Sequence, residues 1–155
     1  MTMGKLKRLV IHCTATREGR EVTSAEIRHW HTDPKSKGGR GWKQVGYSDL
    51  IHLNGGVENL VPYNEDENVD PWEVTNGAAD YNGTSRHVVY VGGLAVDGQT
   101  AKDTRTVAQK EALKKYVKNF LRQHPGALVV GHNELAAKAC PSFDVKKWLK
   151  ETRIM

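Results

Sequence analysis

Two histidines and one cysteine have the residue types and the predicted positions of a metal site. His12 and His132 each follow a predicted apolar strand, and Cys140 lies eight residues after His132, next to Pro141. The ends of neighbouring strands bring distant residues together at one edge of an α/β sheet. Two imidazoles and one thiolate suit zinc and leave a fourth tetrahedral position for water. By spacing alone this signal is weak, because single histidines and buried cysteines are more often structural.

The elements that would position these residues follow from the apolar pattern. Helices are predicted to begin at the capping boxes of Thr23 and Thr106, and a last helix covers about 143–151. Asn54-Gly55 predicts a two-residue hairpin turn. The predicted strands cover residues 6–12, 47–53, 57–61, 87–91 and 127–130, and the predicted loops cover 35–41 and 62–86, the second with a short helix.

These elements predict one α/β domain over residues 1–155, with its core at about 6–150. A central mixed β-sheet would be flanked by about three helices. The chain has 155 residues, of which 38% are hydrophobic and 26% charged, which argues against a disordered or collagen-like protein. Two cysteines are too few for a disulfide scaffold.

Charge and apolar runs restrict the partners. The longest apolar runs are far shorter than the about 20 residues of a membrane-spanning helix, so we expect no membrane partner. Residues 1–8 are basic but lack the apolar region of a secretory signal peptide, which predicts synthesis in the cytoplasm. The net charge of +5 favours a polyanion such as nucleic acid, anionic lipid or anionic cell wall.

Several segments, in a fixed order, carry a resemblance to a known family. They cover residues 10–16, 27–31, 42–47, 91–93, 131–134 and 138–144. The most specific are His-Cys-Thr-Ala-Thr at 12–16 and Lys-Ala-Cys-Pro-Ser-Phe-Asp at 138–144. Over roughly residues 6–150 the sequence resembles the zinc-dependent N-acetylmuramoyl-L-alanine amidases of the phage T7 lysozyme kind. These amidases share their fold with animal peptidoglycan recognition proteins.

The resemblance implies a role for five residues. His12, His132 and Cys140 match the zinc ligands, and Tyr47 and Lys138 match the catalytic tyrosine and lysine. In the implied reaction a zinc-activated water attacks the lactyl carbonyl, while Lys138 and Tyr47 stabilise the oxyanion. Without the resemblance, Tyr47 would be interpreted as an aromatic residue at a strand edge and Lys138 as an exposed loop charge.

Other residues near these motifs receive simpler interpretations. The strand pleat predicts that Cys13 points away from the metal as a small buried residue. Glu134 either hydrogen-bonds a ligand histidine or caps the start of a helix. Compared with the family pattern, the hairpin lacks its arginine, Ser48 replaces a histidine, and residues 76–82 keep Tyr-Asn but lack a histidine. These departures leave the preferred stem peptide open.

The resemblance implies an enzyme that hydrolyses the amide between N-acetylmuramic acid and L-alanine of bacterial peptidoglycan. We expect a phage or prophage endolysin that reaches the wall after phage-type release, with a bacterial amidase as the alternative origin. The expected partners are the glycan strand and stem peptide, and the expected state is a monomer. The sequence has no basic stripe with interleaved aromatic residues, so we expect no nucleic-acid partner. The alternative function is a non-catalytic peptidoglycan-binding module, against which Cys140 argues, because such relatives typically lose this ligand.

Overall fold

The computed structural model describes residues 4–154, so residues 1–3 and 155 of the predicted domain lie outside the described residues. The main strands are β1 (Arg8–Cys13), β3 (Asp49–Ile51), β4 (Val57–Asn59), β5 (Ser85–Tyr90) and β7 (Leu128–Gly131). They form one mixed sheet in the order β4-β3-β5-β1-β7. Strands β3, β5, β1 and β7 run parallel, and β4 pairs antiparallel with β3. The predicted fold class is confirmed.

In the described part of the chain, three α-helices flank this sheet: α1 (Ser24–Thr32), α2 (Val107–Gln123) and α3 (Val145–Glu151). Both predicted capping boxes are present, with the Thr23 hydroxyl accepting from the N–H of Glu26 and the Thr106 hydroxyl from the N–H of Gln109. Each box satisfies orphan N–H groups of the first turn, which is why the helices begin where predicted. Within residues 4–154, every helix falls short of the length and apolar character that crossing a membrane requires.

The helices cover both faces of the sheet. Ile27 of α1 belongs to a cluster with Leu50 and Val89, whereas α2 and α3 pack on a second cluster that includes Leu9 and Ile11 of β1. All residues of β1 from Leu9 onward are therefore buried. Strands that are covered on both faces read as continuous apolar runs, which explains the pattern that predicted β1 and β5.

The predicted two-residue turn at Asn54-Gly55 is wrong. The N–H of Gly55 donates to the His52 carbonyl at 2.8 Å, so Leu53 and Asn54 form the centre of the turn and Gly55 follows in the left-handed region at φ 85°. The N–H of His52 donates to the Gly56 carbonyl at 2.8 Å and closes a three-residue loop. Such a loop also favours glycine at its left-handed position, so the same dipeptide fits both turns.

Some element limits differ from the prediction. The strand predicted over 47–53 is shorter, so Tyr47 precedes β3 instead of lying on it. The strand predicted over 6–12 begins two residues later, at Arg8, and extends one residue further, to Cys13. Within 62–86 the structure has a 3-10 turn, Asn82–Thr84, directly before β5. Four further short elements of residues 4–154 were not predicted: two 3-10 turns, Lys35–Lys37 and His132–Glu134, and a parallel pair of strands, β2 (Thr16–Arg17) and β6 (Gly93–Leu94). Segments of two or three residues are too short to show periodicity.

Candidate metal centre

The three side chains predicted to bind a metal meet at one edge of the sheet. His12 lies at the C-terminal end of β1, His132 directly follows β7, and Cys140 lies in the loop before α3. Because β1 and β7 are parallel neighbours, their carboxyl ends meet. One donor atom from each residue lies within 4.8 Å of the other two. The structure brings the three residues together, and their role as ligands stays a prediction.

Burial keeps both histidines of this group neutral. Burial, followed by the neighbouring His87 and His132, holds the pKa of His12 well below its usual value. Burial and the charge of Lys138 lower the pKa of His132. A neutral imidazole has a free lone pair on one ring nitrogen, which is the form that binds a metal ion.

The sulfur of Cys140 lies 3.7 Å from Nδ1 of His12. Tetrahedral zinc with Zn–N of about 2.0 Å and Zn–S of about 2.3 Å would place these two atoms about 3.5 Å apart. The donor set and its spacing therefore fit zinc. The backbone N–H of Cys13 donates to the same sulfur at 3.3 Å. Hydrogen bonding with the Cys13 thiol and burial raise the pKa of the Cys140 thiol, so the metal-free thiol keeps its proton at neutral pH.

Two neighbours of the candidate ligands have structural contacts. Cys13 is buried in the core cluster that contains Leu9 and Ile11, and its sulfur lies 3.9 Å from the Ser142 hydroxyl. Its burial agrees with the expectation of a small buried residue. Its thiol also hydrogen-bonds with that of the candidate ligand Cys140, so its orientation away from the metal stays a prediction. Glu134 accepts a hydrogen bond from the backbone N–H of Gly131 at 2.7 Å, so of its two interpretations the structure shows the capping carboxylate.

A cavity of about 1010 Å³ opens beside the candidate ligands. Both residues predicted to be catalytic line it: Lys138 is exposed, and Tyr47 is partly buried with its ring centroid 5.1 Å from that of His12. Burial, followed by the neighbouring Cys140, raises the pKa of Tyr47. The hydroxyl of Tyr47 is therefore protonated at neutral pH and can donate a hydrogen bond into the cavity.

His31 supports Tyr47 from the side of α1. The two rings pack edge to face with centroids 5.2 Å apart, and Trp42 packs on His31 with a centroid distance of 4.9 Å. Nδ1 of His31 accepts the backbone N–H of Gly46 at 2.9 Å. Burial and the charge of Arg40 lower the pKa of His31 to about 4, so the ring is neutral and able to accept.

His87 is the residue near the site that sequence reasoning missed. Its side chain is fully buried at the centre of the fold, and its Nδ1 lies 2.8 Å from Nε2 of His12. Burial and the neighbouring His132 lower the pKa of His87 to about 3. The available signal was a histidine at the start of an apolar strand, since a buried polar ring needs a partner. The sequence does not show which partner.

The sequence of the chain matches a family model. The model for N-acetylmuramoyl-L-alanine amidase matches residues 2–143. The chain belongs to this amidase family. Among curated relatives, the endolysin of Escherichia phage T7 is 33% identical over 147 residues, which cover 95% of this chain and 87% of the phage protein.

Solved structures share the fold of this amidase. The N-acetylmuramoyl-L-alanine amidase LysC from Clostridium intestinale has a TM-score of 0.69 at 18% identity, covering 96% of this chain and 86% of that one. A human peptidoglycan recognition protein, solved with a glycosamyl muramyl pentapeptide, has a TM-score of 0.62 at 18% identity, covering 90% and 77%. At these identities the likeness establishes the fold that the resemblance implied.

Proposed function

We propose that this amidase hydrolyses the bond between the lactyl group of N-acetylmuramic acid and L-alanine of peptidoglycan, with a zinc ion held by His12, His132 and Cys140. The observation that carries the proposal is the meeting of these three donors within 4.8 Å, beside a large cavity, in a member of the amidase family. When bound, zinc would polarise the scissile carbonyl and lower the pKa of the attacking water toward about 7.

Lys138 is assigned to stabilise the oxyanion that forms on the lactyl carbonyl. Its side chain is exposed at the cavity and is close enough to the site for its charge to lower the pKa of His12 and His132. A thiolate ligand reduces the charge of a zinc centre, so the site gains from a second cation where negative charge develops. One donor of this kind contributes about 10²–10³ in turnover.

Tyr47 is assigned as a second hydrogen-bond donor to the same oxyanion. Its pKa is raised by burial, so its hydroxyl does not act as a general base at neutral pH. The packing of His31 against its ring restricts the orientation of the Tyr47 side chain. A preorganised donor needs no reorganisation when the oxyanion forms, which is the basis of its catalytic value.

A non-catalytic binding module is the alternative function. Binding of a stem peptide requires the cavity but does not require two neutral imidazoles and a thiol converging on one point. The donor group of His12, His132 and Cys140 therefore supports the enzyme. Zinc content together with the release of stem peptides distinguishes the two functions, since a binding module would release none.

We further propose that the protein is an endolysin that acts on the cell wall as a monomer. The T7 relative carries the name endolysin, and a net charge of +5 suits an anionic wall polymer. The proposal includes no nucleic-acid partner. Light scattering with size-exclusion chromatography tests the monomer, and retention on a nucleic-acid column at physiological salt would contradict the choice of partner.

The proposed reaction is tested by mass spectrometry of digested peptidoglycan. Purified protein should release free stem peptides that begin with L-alanine and leave the lactyl carboxylate on the glycan. Removal of metal by a chelator should abolish this release, and added zinc should restore it. Full activity after verified removal of zinc would refute the metal mechanism, and products cut at any other bond would refute the substrate assignment.

A further inference from the structure

We propose that His87, itself held by Asn82, is a positioning residue that fixes the tautomer and ring orientation of His12 and so directs the His12 Nδ1 lone pair at the metal. The three residues Asn82, His87 and His12 are called the imidazole relay. The inference rests on the proposed function, because it takes His12 as a zinc ligand.

The orientation of the Asn82 side-chain amide is fixed by a backbone hydrogen bond. Its Oδ1 accepts the backbone N–H of Ala78 at 2.9 Å. A backbone N–H can only donate, so this bond fixes which amide atom is the oxygen. Nε2 of His87 lies 3.1 Å from the same oxygen. An amide oxygen only accepts, so Nε2 of His87 must carry the proton.

The tautomer of His87 then determines that of His12. A neutral imidazole with its proton on Nε2 has a bare lone pair on Nδ1. Nδ1 of His87 lies 2.8 Å from Nε2 of His12, so His12 donates from Nε2 and keeps Nδ1 unprotonated. That Nδ1 is the atom 3.7 Å from the Cys140 sulfur. The opposite tautomers would place a proton where the metal must bind.

The surrounding backbone prevents the His87 ring from turning away. An added Cβ at Gly77 would lie 2.5 Å from Nδ1 of His87, so the ring packs directly on this glycine. His87 is also 0% exposed. Gly77 belongs to the stretch 76–82, which lacks the histidine of the family pattern. In this chain a histidine from β5 fills the space beside that stretch.

The tautomers can be measured directly in the unaltered protein. In metal-free protein with ¹⁵N-labelled histidine, long-range ¹H–¹⁵N spectra at pH 7 distinguish a protonated Nε2 from a protonated Nδ1. We expect the Nε2–H form for both His87 and His12. A protonated Nδ1 on His87 would overturn the proposal, and this result does not depend on the folding of any variant.

Zinc affinity tests the same relay through substitutions. In competition with a chromogenic chelator, His87→Ala and Asn82→Leu should weaken zinc binding about 10–100-fold, the usual effect of losing a group that orients a ligand histidine. Asn82→Asp keeps an acceptor for His87 and should bind zinc at least as tightly as the original protein. His124→Gln is the matched control: it removes another buried histidine, which contacts Glu65, and should leave zinc affinity unchanged.

The outcomes separate this inference from the proposed function. If the unaltered protein binds no zinc, the proposed function fails. If it binds zinc, but folded His87→Ala and Asn82→Leu bind it with unchanged affinity, the positioning role fails alone. Weakening by Asn82→Leu with rescue by Asn82→Asp supports a hydrogen-bonding role, because a loss of packing would not be rescued by a carboxylate.

Discussion

Replacing Gly77 with alanine would place a methyl group where the ring of His87 now lies. The new Cβ would be 2.5 Å from Nδ1 and 2.6 Å from Cγ of His87, and 2.7 Å from the Gly46 carbonyl oxygen. Contacts this short require a shift of the neighbouring atoms. Gly46 is held by the bond from its N–H to His31, so the His87 ring has to move and its bond to His12 is lost.

The size of the effect follows from two contributions. Overpacking of a well-packed interior costs about 1–3 kcal/mol. Separating His87 from His12 leaves buried polar atoms without partners, at a further cost of about 1–3 kcal/mol. We expect Gly77→Ala to lower the free energy of unfolding by about 2–6 kcal/mol, a large share of the about 5–15 kcal/mol of a typical domain. Zinc affinity should fall about 10–100-fold.

Urea denaturation of the metal-free protein and chelator competition for zinc measure the two effects. Gly126→Ala is the matched control, because an added Cβ there meets no described atom within 4 Å. Its stability should change by at most about 1 kcal/mol. If Gly77→Ala and Gly126→Ala showed the same stability and the same zinc affinity, the described packing of His87 on Gly77 would be refuted.

Four further predictions concern the site and the pH dependence of stability. Tyr47→Phe and Lys138→Ala should each lower turnover about 10²-fold and retain zinc, and wild-type rates would remove their catalytic assignment. Cys140→Ser should lose zinc binding, whereas Cys13→Ser should keep it and lose at most about 1–3 kcal/mol of stability; the reverse pattern of metal content would mean that the wrong cysteine is assigned. Zinc uptake at pH 7 should release about one proton from the Cys140 thiol, which calorimetry in buffers of different ionisation enthalpy measures; equal heats would contradict it. Partial burial disfavours the charged form of His52, but Glu58 at 2.8 Å and Glu21 at 3.0 Å raise the pKa of His52 above its unfolded value. Protonated His52 therefore stabilises the folded protein fully below about pH 6.5, and this stabilisation is lost as the pH rises through the folded pKa. In urea denaturation, His52→Gln should lose less free energy of unfolding between pH 6 and pH 8 than the original protein. The same pH dependence in both proteins would refute this contribution of His52.

Sequence patterns predicted those parts of the fold that depend on residues close together in the chain. Thr23 and Thr106 begin helices because a hydroxyl three residues before a glutamate or glutamine completes a capping box within one turn. His12 and His132 could be placed at one edge because strand ends in a parallel sheet converge. Tyr47 was placed on a strand because Tyr47 to Leu53 looks continuous, but only Asp49–Ile51 pairs with β5.

The role of His87 could not be predicted, because it depends on a register between distant strands. Val10 pairs with His87 and His12 pairs with Val89, which sets the two histidines diagonally across neighbouring strands. A shift of one residue in this register would turn His87 to the opposite face of the sheet. Nothing local to residues 85–90 encodes the position of β1.

The relay also explains how the metal-free protein tolerates so many buried polar atoms at its centre. A buried polar network is stable only when every member has a partner. At one end of the relay, the Ala78 N–H donates a hydrogen bond to Oδ1 of Asn82. At the other end, Nδ1 of His12 lies 3.7 Å from the Cys140 sulfur. The S–H of Cys140 has two acceptors within reach, Nδ1 of His12 at 3.7 Å and the Cys13 carbonyl at 3.8 Å. In the proposed zinc centre, His12, His132 and Cys140 would hold the ion, and the thiol proton would be released on binding. The hydrogen bonds that join Asn82, His87 and His12 would already hold the His12 ring in the orientation that binding requires.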